Sequence, residues 1–105
     1  MLKHDVDQGV NVVLLEGEMT IYDIEALAQA LLPLIGSAEQ LVIDLNSVSE
    51  IDSSGAQLLM LARIERQRLG RPFSMVNHSA SVLRLFESLG LLNWFDDPVV
   101  LSGNV

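Results

Sequence analysis

The first apolar run along the chain, Val10-Asn11-Val12-Val13-Leu14-Leu15, is β-branched and hydrophobic, a composition that predicts a strand. Gln8-Gly9 before it marks a turn from a shorter strand over residues 2–6, and Gly17 is expected to close the pair. The periodicity then changes. Ile24, Leu27, Leu31 and Leu34 recur at steps of three and four, the single apolar stripe of a helix over about residues 22–34. Thr20 or Asp23 is its candidate cap, Pro33 removes an N–H from its last turn, and Gly36-Ser37 ends it. Leu41-Val42-Ile43-Asp44-Leu45 is a short, nearly continuous apolar run, as in a buried strand. Beyond Asn46-Ser47 the chain is expected to stay loosely extended through Val48 and Ile51.

A second helix is expected over residues 53–69. Its first half is apolar (Ala56, Leu58, Leu59, Met60, Leu61, Ala62), its second half carries Arg63, Glu65, Arg66 and Arg68, and Gly70 is its stop. Phe73-Ser74-Met75-Val76 reads as a fourth strand. Ser79 or Ser81 opens a third helix with Val82, Leu85, Phe86 and Leu89 on one face, Gly90 ends it, and Leu91 folds back behind the stop. A last short strand is expected near residues 99–101. Strands alternating with helices define an α/β chain with a mixed, partly parallel sheet of four to five strands. Right-handed crossovers place its three or so helices mainly on one face.

The bulk numbers narrow the function. At 105 residues the chain fits a single domain, 1–105, and half of its residues are apolar, enough for a core without staples. It has no cysteine, which removes disulfides, thiolate nucleophiles and thiolate metal sites together and agrees with a cytoplasmic setting. The start, Met1-Leu2-Lys3-His4-Asp5, turns polar at once, unlike an export signal. The richest apolar stretch, residues 26–35, falls short of the roughly 20 residues of a spanning helix, so no direct membrane insertion is expected. Net charge is −8, with ten acids against Lys3 alone in residues 1–54 and five Arg against four acids thereafter. Such an acidic chain repels phosphate backbones and anionic membrane surfaces, so nucleic acid is not an expected partner.

The informative stretch is Ile51-Asp52-Ser53-Ser54-Gly55, between a buried strand and a helix. It puts two hydroxyls and a glycine on a first helical turn, where unsatisfied N–H groups favour negative charge. Gly55 would let another surface approach the backbone closely. Asp52 is placed to hold a neighbouring hydroxyl or N–H. The simpler alternative is that Asp52 or Ser53 is only a helix cap, the commonest use of these residues.

The wider setting resembles a known family. The strand Leu41-Val42-Ile43-Asp44-Leu45, then six residues, then Asp52-Ser53-Ser54-Gly55 and a Leu58-Leu59 helix is similar to the STAS domain of anti-sigma factor antagonists. Gly17-Glu18-Met19 resembles that family's Gly-Glu-Leu turn. Ser81-Val82-Leu83-Arg84-Leu85-Phe86 with Leu89-Gly90-Leu91 resembles its third helix and the turn after it. The resemblance implies a STAS-like α/β fold, no cofactor and no enzymatic activity. It implies that Ser54, directly before the glycine, is phosphorylated by a partner serine kinase that is itself the anti-sigma factor. A serine phosphatase completes the cycle, and the unmodified form binds the kinase. Thr20, Asp23, Asp52, Ser53 and Gly55 are the implied partner-binding positions. One position departs from the pattern: the Asp that often follows the Gly-Glu-Leu turn is Thr20 here, and Asp23 either takes its role or caps the helix. Thr20-Ile21-Tyr22 is instead similar to STAS proteins of chemotaxis-type histidine-kinase systems. Other STAS domains are subunits of anion transporters or lipid-transport complexes, so a non-phosphorylated subunit of a chemotaxis-type signalling or transport complex is the alternative.

The remaining candidates are weaker. Arg63, Arg66, Arg68 and Arg71 are either a docking patch or the solvated end of an amphipathic helix, where Arg favours the C-terminal dipole. His4 and His78 lack ligand spacing, so no metal is expected. Trp94 and Phe95 are expected at the core edge. A hydrolase built on Ser54, His78 and an Asp has no supporting motif such as Gly-x-Ser-x-Gly.

Overall fold

The first two strands meet through the shortest hairpin a chain can make. In a computed structural model that describes residues 1–95, β1 (Leu2–Asp7) and β2 (Val10–Met19) are antiparallel with Asp7 opposite Val10. Gln8 and Gly9 both have positive φ, 52° and 78°. That is the twist a two-residue type I′ turn demands, and glycine adopts it without a Cβ penalty. β2 then pairs in parallel with β3 (Gln40–Ile51), and β3 in parallel with β4 (Phe73–Val76), giving the order β1-β2-β3-β4. The further strand expected at residues 99–101 lies outside the described residues.

Two strands are longer than their composition suggests. β2 does not close at Gly17; it passes a register irregularity there, with Gly17 at φ 85°, and continues to Met19. β3 likewise continues through Asn46-Ser47 to Ile51 instead of loosening. Each extension exists because the other supplies its hydrogen-bond partner: Gly17 sits opposite Val48 and Met19 opposite Ile51. The pair ends level, and that shared end is where the functional turns begin.

One face of the sheet carries the core. Val13 and Leu15 of β2, Leu41, Ile43 and Leu45 of β3, and Met75 of β4 are all fully buried. The alternate positions Val12, Val42 and Asp44 are only half-buried, so β3 is central but covered on one side. Four helices cover the buried face: α1 (Ile24–Ile35), α2 (Ser53–Leu69), α3 (Ala80–Ser88) and a short α4 (Leu92–Phe95). They contribute Leu27, Leu31 and Ile35, then Ala56, Leu59 and Ala62, then Val82 and Phe86, and finally Phe95. α4 was not legible in the sequence. Behind Gly90, the Leu91 N–H bonds back to the Phe86 carbonyl at 2.7 Å, which turns the chain so that Phe95 stacks on Phe86 with centroids 4.7 Å apart. Trp94 stays partly exposed, edge-on to Phe95. Among the described residues, no helix is long and apolar enough to cross a membrane.

The arginine cluster does not behave as a solvated helix end. Arg68 is exposed and paired with Glu65, but Arg66 is 0% exposed. Its guanidinium donates to the carbonyls of Ile35 (2.9 Å), Ser37 (2.8 Å), Glu39 (2.8 Å) and Pro72 (2.6 Å). Arg71 adds bonds to Gly36 and Ser37 carbonyls. Together they satisfy the carbonyls at the C-terminal end of α1, where positive charge complements the dipole. They also tie that end to the leads into β3 and β4. Desolvation, then the nearby Arg71 charge, lowers the proton affinity of Arg66.

Candidate functional site

Where β2 and β3 end side by side, two turns leave the sheet. One, residues 20–23, leads into α1; the other is Asp52, which caps α2. A single carboxylate joins them. Asp52 Oδ1 accepts the backbone N–H of Ser54 (2.9 Å) and of Gly55 (3.3 Å) and also the Ser54 hydroxyl (2.7 Å). Its Oδ2 accepts the Ile21 N–H from the other turn at 2.9 Å. The Asp52 N–H in turn donates to the Met19 carbonyl at 3.3 Å. Asp52 is therefore the cap that the simpler sequence reading offered, and it is more than a cap.

These bonds favour the charged carboxylate. The Ser54 hydroxyl, followed by the Ile21 N–H, holds the Asp52 pKa below its ordinary value near 3.8. A carboxyl whose pKa is lower folded than unfolded contributes stability above the unfolded value and loses it as pH falls through the folded one. Asp52→Asn is accordingly expected to lower the unfolding midpoint at pH 7, and the gap from wild type is expected to shrink below about pH 4. Thermal melts of both proteins from pH 7 to pH 2 check this; a constant gap would assign the loss to shape instead of charge.

The other turn is held from within. The Thr20 hydroxyl donates to Asp23 Oδ2 at 3.0 Å, and the Asp23 N–H donates to the Thr20 carbonyl at 2.8 Å. Asp23 occupies the cap position of α1, but its side chain makes no cap bond and faces back to Thr20. Between them Ile21 and Tyr22 point outward, 65% and 93% exposed.

Within the Asp-Ser-Ser-Gly stretch the three residues after Asp52 separate sharply. Ser53 is exposed, Ser54 half-buried and Gly55 buried. Ser54 is the second residue of α2, and its hydroxyl donates to Asp52. Gly55 already meets a close neighbour inside the fold. The close approach is internal: a Cβ there would overlap the Met19 carbonyl oxygen and lie 2.8 Å from Ile51 Cγ1. The missing side chain lets α2 start directly against the paired strand ends.

Beside the site an open groove of about 440 Å³ runs between α3 and the β3 end, lined by Thr20, Glu50, Asp52, Ser81, Arg84 and Ser88 among others. Ser81 is not the cap of α3. Ser79 is, accepting the Val82 N–H at 3.3 Å, whereas the Ser81 hydroxyl reaches across to the Ser49 carbonyl at 2.7 Å. Sequence reading also missed the outward stripe of α2. Ser53, Gln57, Leu61 and Ile64 follow helical spacing from the site, and Leu61 and Ile64 are exposed. The signal was present, since an unbroken apolar run in a helix over-fills a single buried face.

The histidines serve elsewhere. His4 Nε2 is 2.7 Å from Asn11 Oδ1, and His78 is buried edge-on to Phe86. The Ser54 hydroxyl is bonded to a carboxylate and not to an imidazole. Among the described residues no group of three or more His, Asp or Glu is arranged to hold a metal.

A mixed four-stranded sheet with helices on one face and a capped Asp-Ser-Ser-Gly helix start defines a STAS-type fold. Residues 4–101 match the family described as Mlab, STAS domain, and the chain belongs to that family. It is 30% identical over 103 residues to the anti-sigma-B factor antagonist of Bacillus subtilis (strain 168), covering 96% of this chain and 94% of that protein. Among solved structures, an anti-sigma factor antagonist from Mycobacterium paratuberculosis superposes with a TM-score of 0.80 at 26% identity, over 95% of this chain and 84% of that one. The Bacillus cell fate determinant SpoIIAA in its phosphorylated form shares the fold, with a TM-score of 0.70 at 20% identity over 97% of this chain and 93% of that one.

Proposed function

We propose that this chain is a cytoplasmic protein-binding switch of the anti-sigma factor antagonist kind, a regulator and not an enzyme. In this reading the unmodified form binds a partner serine kinase that is also an anti-sigma factor. Phosphorylation of Ser54 releases that partner, and a serine phosphatase restores the binding form. The observation that carries the reading is Ser54 itself: a half-buried residue on the first turn of α2 whose hydroxyl is oriented by Asp52. Ser53 is exposed beside it, and Ile21, whose N–H bonds to Asp52, and Tyr22 are exposed on the neighbouring turn. Thr20 and Asp23 hold the turn that presents those two side chains, and Gly55 sets the distance of α2 from the strand ends. A phosphoryl group adds about −1.5 to −2 charges. Placed beside Asp52, it would fill the interface and repel an acidic partner surface.

Affinity capture from the native host with wild type, Ser54→Ala and Ser54→Asp as baits tests this reading. The expected outcome is a kinase retained by wild type and Ser54→Ala, reduced at least about tenfold on Ser54→Asp, with phosphate mapped to Ser54 of the recovered wild type. A second reading, a constitutive subunit of a chemotaxis-type signalling or transport complex, is favoured by Thr20 at the position where an Asp is common. It predicts the same partners on all three baits and no phosphate.

A further inference from the structure

Asp52 is the only described side chain that bonds both to Ser54 and to the Ile21 turn, and it does so with its two oxygens separately. We propose that this carboxylate is a relay: a phosphate on Ser54 breaks its bond to the Ile21 N–H and loosens the turn that displays Ile21 and Tyr22. The inference rests on Ser54 being the modified residue. It adds that the signal is read at a second place, one strand end away, and not only at the phosphate.

The chemistry follows from the geometry. Transfer of the γ-phosphoryl group of a nucleoside triphosphate forms the Ser54 Oγ–P bond and breaks the bond to the β–γ bridging oxygen. A nucleoside diphosphate leaves and the hydroxyl proton goes to solvent. The donor that now sits 2.7 Å from Asp52 Oδ1 is thereby lost, and a group of about −1.5 to −2 charges takes its place. Two anions then compete for the same donors, the N–H groups of Ser54 and Gly55. A phosphate tethered at a helix start is well placed to take them. Asp52 turns away, and because its carboxylate is one rigid unit, Oδ2 leaves the Ile21 N–H as Oδ1 leaves the helix. What remains of the turn is its internal link, the Thr20 hydroxyl and carbonyl to Asp23. That link closes the turn across Ile21 and Tyr22 but does not tie it to α2. The exposed pair therefore loses its one bond to the start of α2 and keeps only the closure of its own turn.

The test needs no kinase. Phosphoserine is placed at position 54 during translation of the full chain, and amide exchange with water is read by NMR in the unmodified, phosphorylated and Ser54→Ala proteins. The Ile21 amide is expected to exchange at least about tenfold faster in the phosphorylated protein. It is expected to stay near the unmodified rate in Ser54→Ala, which removes the hydroxyl without adding charge. The Asp23 amide, held by the Thr20 carbonyl, and the Ile43 amide of the core strand should not change, which also reports that the fold is intact. In an Asp52→Asn background the Ile21 amide should already be fast, with phosphate adding less than about a further twofold. An Ile21 rate unaltered by phosphate would overturn the relay, and so would an equal phosphate effect in both backgrounds. Because the phosphate is installed synthetically, these results stand apart from whether a host kinase modifies Ser54, which the capture experiment decides.

Discussion

Gly55→Ala is expected to destabilise the protein by at least about 3 kcal/mol, the upper end of what overpacking costs. In a domain of this size that corresponds to a fall in Tm of more than about 10 °C. Glycine to alanine inside a helix normally gains up to about 1 kcal/mol from propensity, so the expected sign is the reverse of the ordinary one. The steric term wins because the added methyl meets backbone: the Met19 carbonyl oxygen cannot rotate away without giving up the strand end and its bond from the Asp52 N–H. Gly36→Ala is the matched control. Gly36 has φ −82°, and a Cβ there would find nothing nearer than 3.9 Å, so that substitution is expected to be neutral or stabilising by up to about 1 kcal/mol. Urea unfolding of both variants checks the pair. Equal midpoints for Gly55→Ala and wild type would mean that α2 does not start against Met19.

Arg66→Ala is expected to cost more than about 3 kcal/mol. It strips the donors from four carbonyls, and each buried polar group left without a partner costs about 1–3 kcal/mol. Some of that is recovered, since the carbonyls of Ser37, Glu39 and Pro72 lie where water can enter. Arg66→Lys is expected to fall between wild type and Arg66→Ala. An ammonium keeps the charge but presents its donors at one point, whereas the planar guanidinium reaches carbonyls from three separate segments. Arg68→Ala, which removes only an exposed, solvent-screened pair with Glu65, is expected to cost far less than either change at position 66. Denaturant midpoints for the three variants should therefore rank Arg68→Ala, Arg66→Lys, Arg66→Ala in order of increasing damage. Equal losses at positions 66 and 68 would refute the assignment of Arg66 as the tie between α1, β3 and β4.

The contrast between these two arginines shows what was legible in the chain and what was not. Position in a basic cluster is a local property, and Arg63, Arg66, Arg68 and Arg71 look alike in sequence. Only the arrival of Ser37, Glu39 and Pro72 from other segments distinguishes one of them. Gly55 is the same case. Its place in an Asp-Ser-Ser-Gly start was visible, but the surface that comes close to it belongs to Met19, 36 residues earlier in the chain. The ends of β2 and β3 were missed because neither run is strand-like alone past Gly17 or Asn46; each is a strand through pairing with the other.

By itself the sequence determined whatever short-range physics decides. The Gln8-Gly9 hairpin, the capped start and glycine stop of α2 over Ser53–Leu69, and the α/β order of elements are set by residues within a few positions of one another. The place of Ser54 on the first turn of α2 was legible for the same reason, whereas its proposed role rests on the family resemblance across the chain. Tertiary structure alone decided that Asp52 joins two turns, that Gly55 seats a helix on a strand end, and that Arg66 is an internal tie. Asp52 with Ile21, Gly55 with Met19 and Arg66 with Ile35 each join residues more than 25 positions apart. No local pattern can specify such contacts, because they exist only once the sheet has brought those segments together.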